Sequence, residues 1–259
     1  MLQFFQWCWR AIGLCDRLGM EANRSFQGFL YYRHTICLQN GETTAAIAVF
    51  LLGMLLCIVV PYLLGSLNAA IIVSTRKYHD DIRNHGSGNA GLTNMTRVFG
   101  KKAMWLTLAG DAAKQVLSVL IGIVLMGELG AYVAGLFCML GHIFPLYYHF
   151  KGGKGVLTAA VMVLCIDYVV FLVAFTIFVL TVLLTRYISV GSMIAGFALP
   201  GIVYVRAMLR GIPPSLPSLA FAMFIGFMLI VMHRSNIRRL IEGTENKFSF
   251  KKKPEIETK

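Results

Sequence analysis

The 259-residue chain is 57% hydrophobic and only 14% charged, with a mean hydropathy of +0.69, where a soluble domain is about a quarter charged. These proportions exclude a water-soluble enzyme, a disordered tail and a disulfide scaffold, and they predict an all-α polytopic membrane protein. The excess of 24 Lys+Arg over 12 Asp+Glu fits the basic bias of cytoplasmic loops, and it also suits phosphorylated substrates or anionic headgroups.

Residues 1–43 carry Trp7, Trp9, Arg10, Asp16, Arg17 and Arg24. Asp16 and Arg17 interrupt any central apolar stretch, so a cleavable signal peptide is not expected. The segment reads as an N-terminal extension, either amphipathic on the membrane surface or with little structure. The first long apolar run, 44–74, contains Pro61 and Gly65-Ser66, which bend or break a helix. A polar, glycine-rich stretch fills 75–102. Two runs follow, 103–126 with Asp111 and Lys114, and 129–149 with His142 and Pro145. The basic loop Lys151-Gly152-Gly153-Lys154-Gly155 leads into a long run from Val156 to Thr185, interrupted only by Asp167. Runs at 187–209 and 217–232 precede a basic tail over 241–259. The six cysteines form no CxxC pair and read as packing residues, with no disulfide framework and no metal site.

Charge bias sets the topology. Arg76, Lys77, Arg83, Arg97, Lys101 and Lys102 put loop 75–102 in the cytoplasm. Two spans later Lys151 and Lys154 return to that side. A single crossing by 156–185 would leave Arg186, Arg234, Arg238 and Arg239 outside. Dividing that run near Asp167 into a short helix and a full one returns them to the cytoplasm. The expectation is about seven membrane segments, some short, re-entrant or broken, within a transmembrane domain over 44–240. The N-terminus then lies outside and the C-terminus inside, with Arg10, Arg17, Arg24 and Arg33 outside against the bias.

Four polar clusters interrupt the apolar runs, all at the cytoplasmic end in this topology. They are Gly65-Ser66, the stretch Asp81 to Asn94, Gly141-His142-Ile143-Phe144-Pro145 with the loop 151–155, and His233-Arg234-Ser235-Asn236. Glycines let backbone N–H groups face an anion, and nearby Lys and Arg neutralise it. Any one such loop is equally a tight turn between helices; the set of four points to an anionic substrate site. Asp111 and Lys114 share a helix face, either as a mutual ion pair that permits burial or with Lys114 also touching a substrate phosphate. Gly86-Ser87-Gly88-Asn89-Ala90-Gly91 fits GxGxxG, yet no strand precedes it and the dinucleotide reading is rejected. No HxxxxD pair of the soluble-type glycerolipid acyltransferases occurs.

Taken together, these stretches resemble the bacterial membrane glycerol-3-phosphate acyltransferases that use acyl phosphate, the PlsY family. The match spans about residues 45–248. It runs through Gly65-Ser66, Asp81-Ile82-Arg83 to Asn94, Arg97 and Gly100-Lys101-Lys102. It continues through Gly141 to Pro145, Lys151 to Val156, Ser189-Val190-Gly191-Ser192 and His233 to Leu240 with Gly243. The resemblance implies a seven-helix enzyme of the bacterial inner membrane that acylates the 1-position of glycerol 3-phosphate. Lysophosphatidate and phosphate would be the products, with neither metal nor CoA required. The chain departs from the family pattern at Asn68 for Pro, Leu92 for Ala and Ser235 for Glu.

On this reading Ser66, Arg83, Ser87, Gly88, Asn89 and Asn94 bind one phosphate. Lys151, Gly152, Gly153, Lys154 and Gly155 bind the other, with Lys114 as a further ligand. His233 is the general-base candidate, with Asn236 one turn on to orient it or bind phosphate. In the rival route the leaving phosphate takes the proton itself. Ser66 suits a phosphate ligand better than an acyl-enzyme nucleophile, since no adjacent base is visible. His142 beside Pro145 reads as a packing residue. Two other functions fit the same features: a transporter for phosphorylated metabolites or lipids, and a non-catalytic binder of lipid intermediates.

Overall fold

The computed structural model describes residues 28–248, and every regular element among them is helical. Expectations for residues 1–27, and for the tail beyond Phe248, fall outside the described residues. Helix α1 (Phe29–Gln39) belongs to the N-terminal extension and turns at Gly41 into α2 (Thr43–Ser66). With 24 residues, α2 is about 36 Å long, enough to cross the hydrocarbon layer. Pro61 is accommodated inside α2, and the break falls just beyond it at Leu67-Asn68. Asn68 then caps α3 (Ala69–Tyr78) by accepting from Ile71 N at 3.1 Å.

The stretch 75–102 is less of a loop than expected. After a 3-10 turn at Ile82–Asn84, α4 (Leu92–Ile143) begins within it. This helix is bent at Gly100 and broken at Met126-Gly127. Its arms 101–125 and 128–143 form a hairpin, because Gly122 and Gly130 meet across it. A Cβ on either glycine would stand 2.1 Å from the other's carbonyl oxygen. Small residues at such crossings let backbones approach where lipid gives no hydrophobic drive to association.

The long apolar run divides where expected. Helix α5 (Val156–Ile166) stops at Asp167, whose carboxylate caps α6 (Tyr168–Thr185) by accepting from Val169 N and Val170 N. At 11 residues, α5 is about 16 Å long and cannot span alone. Helices α7 (Ile188–Leu209) and α8 (Leu216–Met232) complete the bundle, and the short α9 (Arg234–Ile241) leaves α8 at a 51° bend. Four helices among the described residues are long and apolar enough to cross by themselves. Counted at the breaks, the apolar segments among the described residues are α2, the two long arms of α4, α5, α6, α7 and α8, and up to five spans result by length and composition if the bent α8–α9 pair counts as one.

Candidate active site

Each polar cluster occupies a place where a helix ends, because helix ends leave backbone donors and acceptors without partners. At the α2–α3 break, Ser66 is fully buried. Its hydroxyl donates to Tyr62 O at 2.8 Å and accepts from Leu146 N at 3.2 Å. Asn68 joins this break to the next cluster: its Nδ2 donates to Ala90 O at 3.3 Å.

The stretch 80–94 is shaped by Asn94 and Arg83. Buried Asn94 accepts from Ser87 N at 3.0 Å and donates to His85 O at 3.0 Å and Ile82 O at 3.3 Å. It thereby holds Ser87 and Gly88 outward, exposed, with Asn89 partly covered. Arg83 forks onto Asp81, with Nη2 2.6 Å from Oδ2, and its Nη1 donates to Tyr148 O at 3.1 Å. The Arg83 guanidinium holds the Asp81 carboxyl below the usual carboxylate range.

The glycine loop is held against His142. Gly153 N donates to His142 O at 3.1 Å, and a Cβ on Gly153 would lie 2.1 Å from His142 Nε2 and 2.9 Å from Ala90 O. Only glycine fits there. Lys151 is exposed at the start of the loop, and Lys154 is partly buried. Lys154 Nζ donates to Asn236 Oδ1. Burial, with Arg239 and Arg97 nearby, pulls the Lys154 ammonium down to about 8 against the opposing pull of Glu245.

At the α8–α9 bend, His233 and Asn236 are both buried. His233 Nδ1 lies 2.7 Å from Leu229 O. A carbonyl only accepts, so Nδ1 carries the hydrogen and Nε2 keeps its lone pair. Asn236 Nδ2 donates to Glu245 Oε1 at 2.6 Å. Glu245 also accepts from Ser189 Oγ at 2.8 Å and pairs with Arg239 at 2.7 Å. Burial alone would raise the Glu245 carboxyl; the hydrogen bonds from Asn236, Arg239 and Ser189 outweigh it and hold the group below the usual range.

The four clusters therefore meet. Ser66 touches the segment before the glycine loop, Asn68 touches Ala90, Arg83 reaches Tyr148, and Lys154 reaches Asn236. Lys114, like the buried Ser66 and Asn94, meets protein groups, with Gly65 O and Leu67 O each 2.9 Å from its Nζ. Sequence reasoning missed Glu245 and the Tyr148 carbonyl. Ser235 proves to be an exposed position, and the carboxylate on Asn236 is that of Glu245. In the structure Gly243, with a positive φ of 69°, turns the chain back towards the bundle.

The glycerol-3-phosphate acyltransferase family model matches residues 55–243. A protein of Bacillus anthracis named glycerol-3-phosphate acyltransferase 2 is 39% identical over 193 residues, covering 74% of this chain and 98% of its own. A glycerol-3-phosphate acyltransferase of Syntrophotalea carbinolica is 42% identical over 191 residues, covering 72% of this chain and 93% of its own. Among solved structures, integral membrane PlsY (YgiH) in its glycerol 3-phosphate form superposes with a TM-score of 0.68 at 35% identity. That match covers 76% of this chain and 96% of the other. The lysophosphatidic acid form gives 0.66 at 33% identity, covering 77% and 97%. The chain is an all-helical, multi-pass membrane protein, and it belongs to the glycerol-3-phosphate acyltransferase family.

Proposed function

We propose that the protein transfers a fatty acyl group from acyl phosphate to the 1-position hydroxyl of glycerol 3-phosphate, as the first acylation of phospholipid synthesis. The products are lysophosphatidate and inorganic phosphate. The observation that carries this reading is the meeting of Lys154 and Asn236 beside His233, at the same end as Arg83 and the outward-facing Ser87 and Gly88. One similar protein, PlsY (YgiH), has been solved in glycerol 3-phosphate and lysophosphatidic acid forms, the substrate and product of that step.

An acyl phosphate is a mixed anhydride and already activated, so the chain must align two phosphorylated groups and receive one proton. Loop 151–155, with Lys151 and Lys154, takes the phosphate of glycerol 3-phosphate through backbone N–H groups and ammonium charge. Arg83, Ser87, Gly88 and Asn89 take the phosphate of the donor, on a loop shaped by Asn94. Ser66 holds the wall of the site at Leu146. The substrate hydroxyl oxygen attacks the acyl carbon, and the bond from that carbon to the phosphate oxygen breaks. His233 Nε2 offers a lone pair that orients the hydroxyl and receives its proton; the departing phosphate is the other acceptor within the same site. Asn236, tied to Glu245, steadies Lys154. Alignment of this kind lowers a barrier by about 7–11 kcal/mol in well-oriented cases, and preorganised donors at the oxyanion add about 3–4 kcal/mol.

The protein resides in the bacterial inner membrane with its N-terminus outside and its C-terminus in the cytoplasm. The basic residues of 75–102, 151–154 and 234–239 support that orientation, and the acyl chain of the donor stays in the bilayer between helices. Purified protein in lipid nanodiscs, given acyl phosphate or acyl-CoA with labelled glycerol 3-phosphate, tests the reading. Lysophosphatidate and phosphate formed one to one from acyl phosphate alone bear it out. Flux across liposomes without product would mark a transporter, and binding without turnover a non-catalytic relative. Wild-type turnover by both His233→Ala and Lys154→Ala would remove those residues from the site.

A further inference from the structure

Lys114 and Asp111 take no part in the steps above, yet they hold two parts of the site together. Lys114 Nζ has three hydrogens and meets four acceptors: Gly65 O and Leu67 O at 2.9 Å each, Asp111 Oδ1 at 2.8 Å and His142 Nδ1 at 3.1 Å. The two carbonyls flank Ser66, where α2 ends and its last carbonyls lack helical partners. Asp111 Oδ1 accepts from Ala69 N at 3.3 Å, in the first turn of α3. One buried pair thus closes both sides of the α2–α3 break. His142 carries the contact onward, because its carbonyl accepts from Gly153 N and its ring stands against the Gly153 backbone.

We infer that Asp111, Lys114 and His142 form a positioning network that sets the spacing between the Ser66 break and the glycine loop, and so the affinity for the phosphorylated acceptor. This inference rests on the acyl-transfer reading. A pair present only to neutralise itself would be complete with its own 2.8 Å contact. Here the two remaining hydrogens of the ammonium are shared among Gly65 O and Leu67 O of another helix and the histidine that backs the glycine loop. Small displacements of the groups that position a substrate are felt even when they originate away from the reacting atoms.

The experiment compares Asp111→Asn, Lys114→Met, the double variant and His142→Gln in nanodiscs, reading Tm, kcat and KM for glycerol 3-phosphate. Each single charge variant strands a buried charge and loses stability; the double variant removes both charges and returns Tm to within about 5 °C of wild type. Its KM nevertheless stays raised by about ten-fold, with kcat within about three-fold of wild type, because Gly65 and Leu67 still lack their donor. His142→Gln raises KM similarly without touching the charge pair. Recovery of both Tm and KM in the double variant would overturn the inference. So would a wild-type KM in His142→Gln, which also serves should the charge variants fail to fold. If wild-type protein makes no lysophosphatidate, the acyl-transfer reading is what fails. Calorimetric binding of glycerol 3-phosphate to the same variants then decides the network: binding weakened about ten-fold sustains it, and unchanged binding removes it.

Discussion

Two ion clusters interrupt the apolar helices, near opposite ends of the 128–143 arm of α4. At one end, Asp111 and Lys114 are 1% and 7% exposed and join His142 and the α2–α3 break. At the other, Asp167 pairs with Arg206 at 3.3 Å and Arg210 at 3.6 Å, and the two arginines are 28% and 45% exposed. This second cluster borders a cavity of about 320 Å³ that Glu128 also lines. The clusters hold the same kinds of charge and differ in what else those charges do. The buried one satisfies backbone groups of a broken helix and leans on the glycine loop. The half-exposed one caps α6 and shares its charge with its surroundings. Burial turns an ion pair into a fixed point of the fold, and exposure leaves it nearly dispensable.

Four measurements sharpen or break that contrast. Lys114→Met strands the Asp111 carboxylate and should cost about 3–5 kcal/mol of stability, read as a large fall in Tm. A loss as small as that of an exposed pair would erase the distinction. Gly153→Ala pushes a methyl into the His142 ring, and overpacking of this kind costs about 1–3 kcal/mol. We expect kcat/KM for glycerol 3-phosphate to fall about ten- to a hundred-fold while the protein still folds. Lys154 carries its charge below about pH 8 and loses it above. In consequence kcat/KM should be level at lower pH and drop about ten-fold per unit beyond pH 8. Bound phosphate favours the ammonium, so the fall in kcat should come at higher pH. The smallest effect belongs to Asp167→Asn, which keeps a capping oxygen and gives up only partly screened pairs, at about 0.2–1 kcal/mol. Its turnover should match wild type, and a loss comparable to that of Lys114→Met would make the two clusters equivalent.

Much of the architecture was legible in the residues themselves. The division of 156–185 at Asp167 followed from charge bias alone, because basic loops on both sides of one span are costly to translocate. Gly65-Ser66 after Pro61 marked the first break to within two residues. The four polar clusters stood out only as a set, since any one of them alone is equally a tight turn between helices. Other features were hidden for a physical reason. Asn68 looked like a lost proline, and its role as cap of α3 and link to Ala90 depends on where a distant backbone passes. Lys114 was equally a phosphate ligand or an ion-pair partner until its four acceptors were known. Glu245 lies beyond the last span in a charged tail, and nothing local shows that it returns to Asn236, Ser189 and Arg239.

The sequence by itself determined that this is a helical membrane protein with basic, glycine-rich groups gathered at one end. Hydropathy and charge act through the surrounding solvent, and each residue contributes to them largely on its own. Only the tertiary structure decided which groups each buried cation meets, because a buried charge is governed by the atoms within about 4 Å of it. Those atoms come from helices far apart in the chain: Gly65 and Leu67 for Lys114, and Asn236 for Lys154.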